Sequence, residues 1–206
     1  METIFFLKGL IIGFVIAARV GPIGVLCARR TLMFGRRAGF FSGMGAATAD
    51  AIYGFVAAFG LTLVSDFLIG HNVFLRLVGG SLLCILGVKA LVAAPASKID
   101  HPKSLKKFAG MYSSTFFLTL TNPMTIFSFA AVFVGFGLAG VKGSVLSSGA
   151  LILGVFLGSA LWWVSLVVIF SIFRKRFHTH QLRWVNFISG GIIIASGFIA
   201  LLSLEW

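Results

Sequence analysis

Charge is scarce in this chain of 206 residues, and acid is scarcer still: 11% of residues are charged, with 17 Lys and Arg against 5 Asp and Glu. Soluble domains carry about 25% charged and roughly 45–50% apolar residues. Here 59% are hydrophobic and the mean hydropathy is +1.06. That balance excludes a water-soluble globule, a disordered chain and a coiled coil. Cysteine is limited to Cys27 and Cys84, both inside apolar runs. They read as packing residues, which excludes a disulfide scaffold and a Cys-x-x-Cys thiol oxidoreductase. The four histidines, His71, His101, His178 and His180, fall between the long apolar runs, and Asp50 stands alone in the middle of one. No metal site is expected from such a distribution. A phosphate-cradling Walker sequence is absent too, so ATP is not the direct energy source and no cofactor is implied. The segments between runs are too short for a soluble catalytic domain, and no catalytic residue or enzyme activity is assigned.

What the chain has is apolar length. A helix needs about 20 apolar residues to cross a bilayer. Six stretches qualify: 4–27, 38–64, 73–94, 112–137, 145–173 and 184–204. Barrel strands would be about 10 residues long with alternating polarity. The fold class expected is all-α, a polytopic membrane protein of six transmembrane helices. The first stretch reads as a retained span and not a signal peptide, because it is too long, Glu2 precedes it, and Arg19 with Gly21-Pro22 interrupts it.

The connections set the orientation. The first, 28–37, holds Arg29, Arg30, Arg36 and Arg37; the third, 95–111, holds Lys98, Lys103, Lys106 and Lys107; the fifth holds Arg174, Lys175, Arg176 and Arg183. The second and fourth are nearly free of basic residues. The positive-inside rule puts the odd loops in the cytoplasm and both termini outside. The net charge of +12 is then a matter of topology, and no nucleic-acid partner is expected.

The third connection is the longest and carries two of the four prolines. It divides the chain into a three-helix repeat over 1–94, a cytoplasmic basic linker over 95–111 and a second three-helix repeat over 112–206. An odd number of spans per half inverts the second half. Gly21-Pro22 falls late in the first span and Asn122-Pro123 falls within the fourth, its counterpart. Paired Gly/Pro breaks in corresponding helices point to a transporter site; the plainer reading is that membrane helices tolerate proline. Gly9/Gly13 and Gly154/Gly158 are spaced for close helix packing, and exposed faces of this kind permit a homodimer.

Asp50 is the central candidate. A carboxylate at mid-membrane costs about 2.5–3.5 kcal/mol on insertion scales, so it should face the bundle or a wet cavity. Gly43, Ala46, Ala47 and Gly54 share its face, with Tyr53 beside it. Those small residues are expected to leave room for water or a ligand. Asp50 could load and release a proton or bind an amine; otherwise it is a structural carboxylate paired with Arg19 or hydrogen-bonded to Tyr53. Arg19, three residues before Pro22, could hold a substrate carboxylate, satisfy carbonyls freed at the break, or pair with Asp50. Thr115, Thr119, Asn122 and Thr125 form a polar stripe beside Pro123, with Asn122 the candidate for a site or hinge. In the fifth span Ser159, Trp162 and Ser165 share a face, Trp162 being the candidate cation–π partner, while Trp163 is expected to point elsewhere. Asn186, Ser189 and Ser196 read as interhelical contacts of the sixth span.

Gly21-Pro22-Ile23-Gly24, then Gly35-Arg36-Arg37-Ala38-Gly39 and the glycine-rich approach to Asp50, followed by Thr121-Asn122-Pro123, resemble the LysE/RhtB family of amino-acid exporters over the whole chain. The resemblance implies a bacterial cytoplasmic-membrane protein exporting amino acids or related metabolites, with proton antiport, and makes Gly21, Pro22, Asn122 and Pro123 motif positions. Many family members carry Pro-Gly-Pro where this chain has Val20-Gly21-Pro22. The partners implied are a small-molecule substrate, protons and the lipid bilayer. A membrane scaffold or a passive channel are the alternatives.

Overall fold

In a computed structural model of the protein, residues 2–18, 21–58, 72–92, 104–122, 125–126, 128–129, 145–174 and 179–202 are described, and all regular structure among them is helical. Seven helices are defined there: α1 Glu2–Ala17, α2 Pro22–Phe34, α3 Arg36–Ala58, α4 Asn72–Val92, α5 Leu105–Leu120, α6 Val145–Arg174 and α7 Thr179–Leu202. Most of the fourth predicted span beyond α5, and the last residues of the second, lie outside the described residues.

Polarity runs opposite to that of a soluble bundle. Ile4, Leu7, Ile11 and Val15 form an exposed stripe on α1, and Trp184, Phe187, Ile188 and Ile199 are exposed on α7. Arg30, Thr31, Ser42, Asp50, Thr115 and Ser159 are buried. A monomeric soluble protein rarely leaves so much apolar surface open. In hydrocarbon that surface is matched to its solvent, and the polar groups must find partners inside the protein. Val145–Phe173 and Arg183–Leu202 are each long and apolar enough to cross a membrane. α1 and α2 pass the same test only when taken together, and they are bent by 79° at their break, as in a broken span or a re-entrant loop. The protein is membrane-embedded.

The predicted first connection requires correction. No loop occupies 28–37: α2 continues through Arg29 and Arg30 to Phe34, and Gly35 alone separates it from α3. Two local features set these limits. Pro22 opens α2, where its missing N–H and fixed φ are no handicap. Gly35 closes it at φ 95°, donating its N–H to Thr31 O at 3.0 Å, a backbone state that side-chain-bearing residues rarely adopt. A Cβ at Gly39 would collide with Thr31 Oγ1, so the α2–α3 hairpin closes only because both positions lack side chains.

Close approaches fix the relative directions of the helices. Gly9 and Gly13 of α1 pack on the backbone at Leu151 and Val155, and Gly154 and Gly158 of α6 pack on Phe6 and Leu10, so these helices run parallel. Gly45 of α3 meets Tyr112 and Phe116 of α5, again parallel. The pairs α3/α6 and α4/α7 are antiparallel, with Gly43 on Trp163 and Gly54 on Val155, and with Gly80 on Gly197 and Gly87 on Gly190. The small-residue spacing seen in α1 and α6 is therefore used within one chain.

Candidate functional site

Asp50 sits midway along α3 and is buried, with 3% of its surface exposed. Ser159 Oγ, from the middle of antiparallel α6, donates to Asp50 Oδ2 at 2.6 Å. Trp163 Nε1, one turn further along α6, donates to Ser159 Oγ at 3.1 Å. The two bonds point the same way, toward the carboxylate, so the charge-assisted contact is supported from behind by an indole N–H. Among the described residues, the space beside the small residues around Asp50 is filled by neighbouring side chains. Gly43 accommodates the Trp163 side chain, Gly54 accommodates Val155, and Ala46 and Ala47 are fully buried. Their smallness admits α6 close enough for Ser159 to reach the acid.

Tyr53, one turn after Asp50, does not bond to it in the described contacts. Its hydroxyl donates to Leu120 O at 2.6 Å, at the last residue of α5. Its ring stacks on Phe129 at 5.3 Å. The helix stops there because Pro123 has no N–H to return to Thr119 O, which accepts instead from Asn122 N at 3.3 Å. Asn122 O then receives Thr125 N at 3.0 Å and Ile126 N at 3.3 Å, starting the next turn. Asn122 thus stands just past the end of α5, at the break itself. Pro123 lies outside the described residues.

The first break is built differently. Ala18 N still bonds Phe14 O, Gly21 is extended at φ −157° with no side-chain cap, and Gly21 O receives Val25 N at 3.1 Å. Arg19 lies outside the described residues. Gly21 and Gly24 have open space where a Cβ would stand. They line a cavity of about 630 Å³ between α2, α6 and α7, together with Arg29, Trp162 and Trp184. Trp162 is therefore on the cavity side of α6, in edge-to-face contact with Phe14 at 5.5 Å, and Trp163 is the tryptophan that serves the Asp50 group. The expectation that Trp163 points elsewhere is corrected: a 100° step per residue puts Trp163, not Trp162, one turn from Ser159 on the α3 face.

Two polar centres escaped the reading of the sequence. Arg30 is buried, and its guanidinium donates to Ser42 Oγ at 2.9 Å, Met111 O at 2.9 Å, Thr115 Oγ1 at 2.8 Å and Ser114 Oγ at 2.8 Å, joining α2 to α3 and α5. Arg29, also buried, donates from Nε to Asn186 Oδ1 of α7 at 2.9 Å. By sequence both fall in the expected connection 28–37, but the structure puts them inside α2. The available signal was Pro22 and Gly35 bracketing 13 residues, the ordinary start and stop of a helix. The stripe residues Thr115 and Thr119 also turn back on their own helix, to Met111 O and Thr115 O at 2.9 Å each. Ser196 does the same to Ile192 O. No three His, Cys, Asp or Glu side chains come together among the described residues.

A model of the LysE type translocator family matches residues 14–204. The chain is 28% identical over 207 residues to a protein of Bacillus subtilis (strain 168) named "Putative amino acid efflux protein YcgF", covering 94% of this chain and 93% of that one. No solved structure matches the chain.

Proposed function

The chain belongs to the LysE type translocator family, and from that premise we propose that it exports an amino acid or a closely related small polar metabolite by proton antiport. The similarity to an amino acid efflux protein along nearly the whole chain supports the solute class. The observation that carries the mechanism is the buried Asp50–Ser159 bond between the middles of α3 and α6. An acid kept at that depth in an otherwise apolar span is retained at a cost, and proton transfer is the use that matches it.

In this mechanism two inverted repeats, 1–94 and 112–206, are joined by 95–111. Helix packing supports the pseudo-symmetry. Exchanging the first span for the fourth, the second for the fifth and the third for the sixth converts the parallel α1/α6 contact into the parallel α5/α3 contact. The antiparallel α3/α6 and α4/α7 pairs exchange into themselves. Gly21-Pro22 and Asn122-Pro123 then form the two halves of a midplane site, where freed backbone groups meet the solute. Arg19 is the candidate for the solute carboxylate. Asp50 takes a proton from outside and releases it inside, and the α3/α6 contact opens and closes with that change.

The same helix directions bring Arg36 and Arg37, Lys106 and Lys107, and Arg183 to one end of the bundle, all exposed. That end is cytoplasmic by the positive-inside rule, even without Arg29 and Arg30, in the cytoplasmic membrane of a bacterium.

The deciding test is counterflow in proteoliposomes with an imposed pH gradient. Asp50→Asn should still exchange labelled solute across the membrane while losing acceleration by the gradient. Gradient-driven flux equal to wild type in that variant would remove Asp50 from the coupling.

A further inference from the structure

The cavity between α2, α6 and α7 does not include Asp50, Tyr53 or Asn122, and its lining is almost wholly apolar. It runs from the first break, at Gly21 and Gly24, along Leu166 and Phe170 toward the basic end of the bundle. Three of the residues on its α7 wall are themselves exposed, Trp184 at 56%, Ile188 at 54% and Ile192 at 44%, while Val185 is half-buried and Ser189 is buried. It is thus a groove open to the hydrocarbon, much larger than an amino acid and chemically unlike one. A zwitterionic solute would lose its hydration there without recovering hydrogen bonds.

One charge breaks this apolar surface. Arg29 lines the groove with only 7% of its surface exposed. Among the described residues its only hydrogen bond leaves from Nε, to Asn186, and none of them accepts from its two terminal nitrogens. Arg30, the next residue, is equally buried and surrounded by neutral acceptors. Two adjacent guanidinium groups in a low-dielectric setting, with no carboxylate bonded to either among the described residues, favour an anion beside them. The exposed Arg183 and Arg36 stand at the same end, the latter tied by Nε to Ser171 beside Phe170.

We propose that this groove is a binding site for an anionic phospholipid, with an acyl chain lying along Leu166, Phe170 and Ile188 and the phosphate drawn to Arg29. An apolar channel ending in a buried cation matches an amphiphile with one negative head. Trp184 at the mouth is the residue type that favours the headgroup boundary. The membrane orientation proposed above enters only in naming the inner leaflet as the source.

The test is native mass spectrometry of the full chain in neutral detergent, titrated with phosphatidylglycerol and with phosphatidylcholine of identical acyl chains. Wild type should retain phosphatidylglycerol roughly tenfold more tightly, the scale of one charge-assisted contact. Arg29→Gln should erase that preference, and Arg37→Gln, exposed and outside the groove, should keep it. Gly24→Leu grows a side chain into open space and should lower binding of both lipids with Arg29 intact; it decides the matter if Arg29→Gln does not fold. Equal affinity for the two lipids in wild type, a preference that survives Arg29→Gln, or undiminished binding of both lipids by Gly24→Leu overturns the proposal. So does a two-chain species that Gly24→Leu dissociates in the absence of lipid, which would make a second copy the occupant.

Discussion

Ser159 donates its hydroxyl proton to Asp50 across 2.6 Å, and in doing so ties the midpoint of α6 to the midpoint of the antiparallel α3. Both groups are buried, and the serine is itself held by Trp163 Nε1. Removing the hydroxyl leaves a buried acid without this donor. Ser159→Ala should therefore cost about 1.5–3 kcal/mol, as hydrogen bonds to charged groups do. Combined with Asp50→Asn, the losses should fall short of additivity by about 1 kcal/mol, because each change spoils the same bond. Denaturant unfolding of the four-protein cycle in detergent measures the coupling, and strict additivity would dissociate the pair.

Arg30 predicts a sharp distinction between charge and shape. Its guanidinium spreads over four acceptors on two helices, a geometry that a lysine ammonium on a flexible stem cannot reproduce. Arg30→Lys should lose about 2–4 kcal/mol despite keeping the positive charge. The exposed Arg37 is the control, and Arg37→Gln should change stability by less than about 0.5 kcal/mol. Thermal unfolding of both variants in one detergent makes the comparison. Equal melting temperatures would mean that the Arg30 bonds contribute nothing net.

Glycine substitutions should split by position and not by residue type. A Cβ at Gly13 meets the Val155 backbone, which cannot yield as a side-chain tip would. Gly13→Ala should push α1 off α6 and cost about 1–3 kcal/mol. Gly191, on the exposed side of α7, has nothing near its missing Cβ, and Gly191→Ala should stabilise by about 0.5–1 kcal/mol through the unfolded chain. Opposite signs in the two melting shifts are the expected result. A shared sign would mean that helix propensity outweighs the packing at α1/α6.

The sequence carried the helical class and the buried acid openly, since apolar runs of membrane length and a lone carboxylate within one need no tertiary information. Pro22 likewise marks the start of α2, and Asn122 lies just past the end of α5. Orientation within a span was harder to read. In α6 nearly every position is apolar, so periodicity does not say which of two adjacent tryptophans faces α3; only the place of Ser159 opposite Asp50 separates Trp163 from Trp162. Arg29 and Arg30 were misplaced for a related reason. Four arginines in ten residues resemble a cytoplasmic loop by composition, while the helix boundaries Pro22 and Gly35 are local signals that composition overrides. The partners of Arg30, at Ser42, Met111, Ser114 and Thr115, lie up to 85 residues away, and no local pattern names them.

Tyr53 offers the test that links the helix bearing the acid to the end of α5. Its hydroxyl holds Leu120 O, a carbonyl at the end of α5 next to the turn where Asn122 restarts the chain. Tyr53→Phe deletes that bond alone, leaving the ring free to stack on Phe129 as it does at 5.3 Å. The stability loss should be modest, about 0.6–2 kcal/mol, the usual range for a polar contact between membrane helices. The effect on turnover should be larger if the break moves during transport, because the tether connects the moving end of α5 to the helix bearing Asp50. Efflux from preloaded proteoliposomes should slow several-fold while the half-saturating solute concentration holds. Wild-type turnover with only a lowered melting temperature would confine the Tyr53–Leu120 bond to holding the fold.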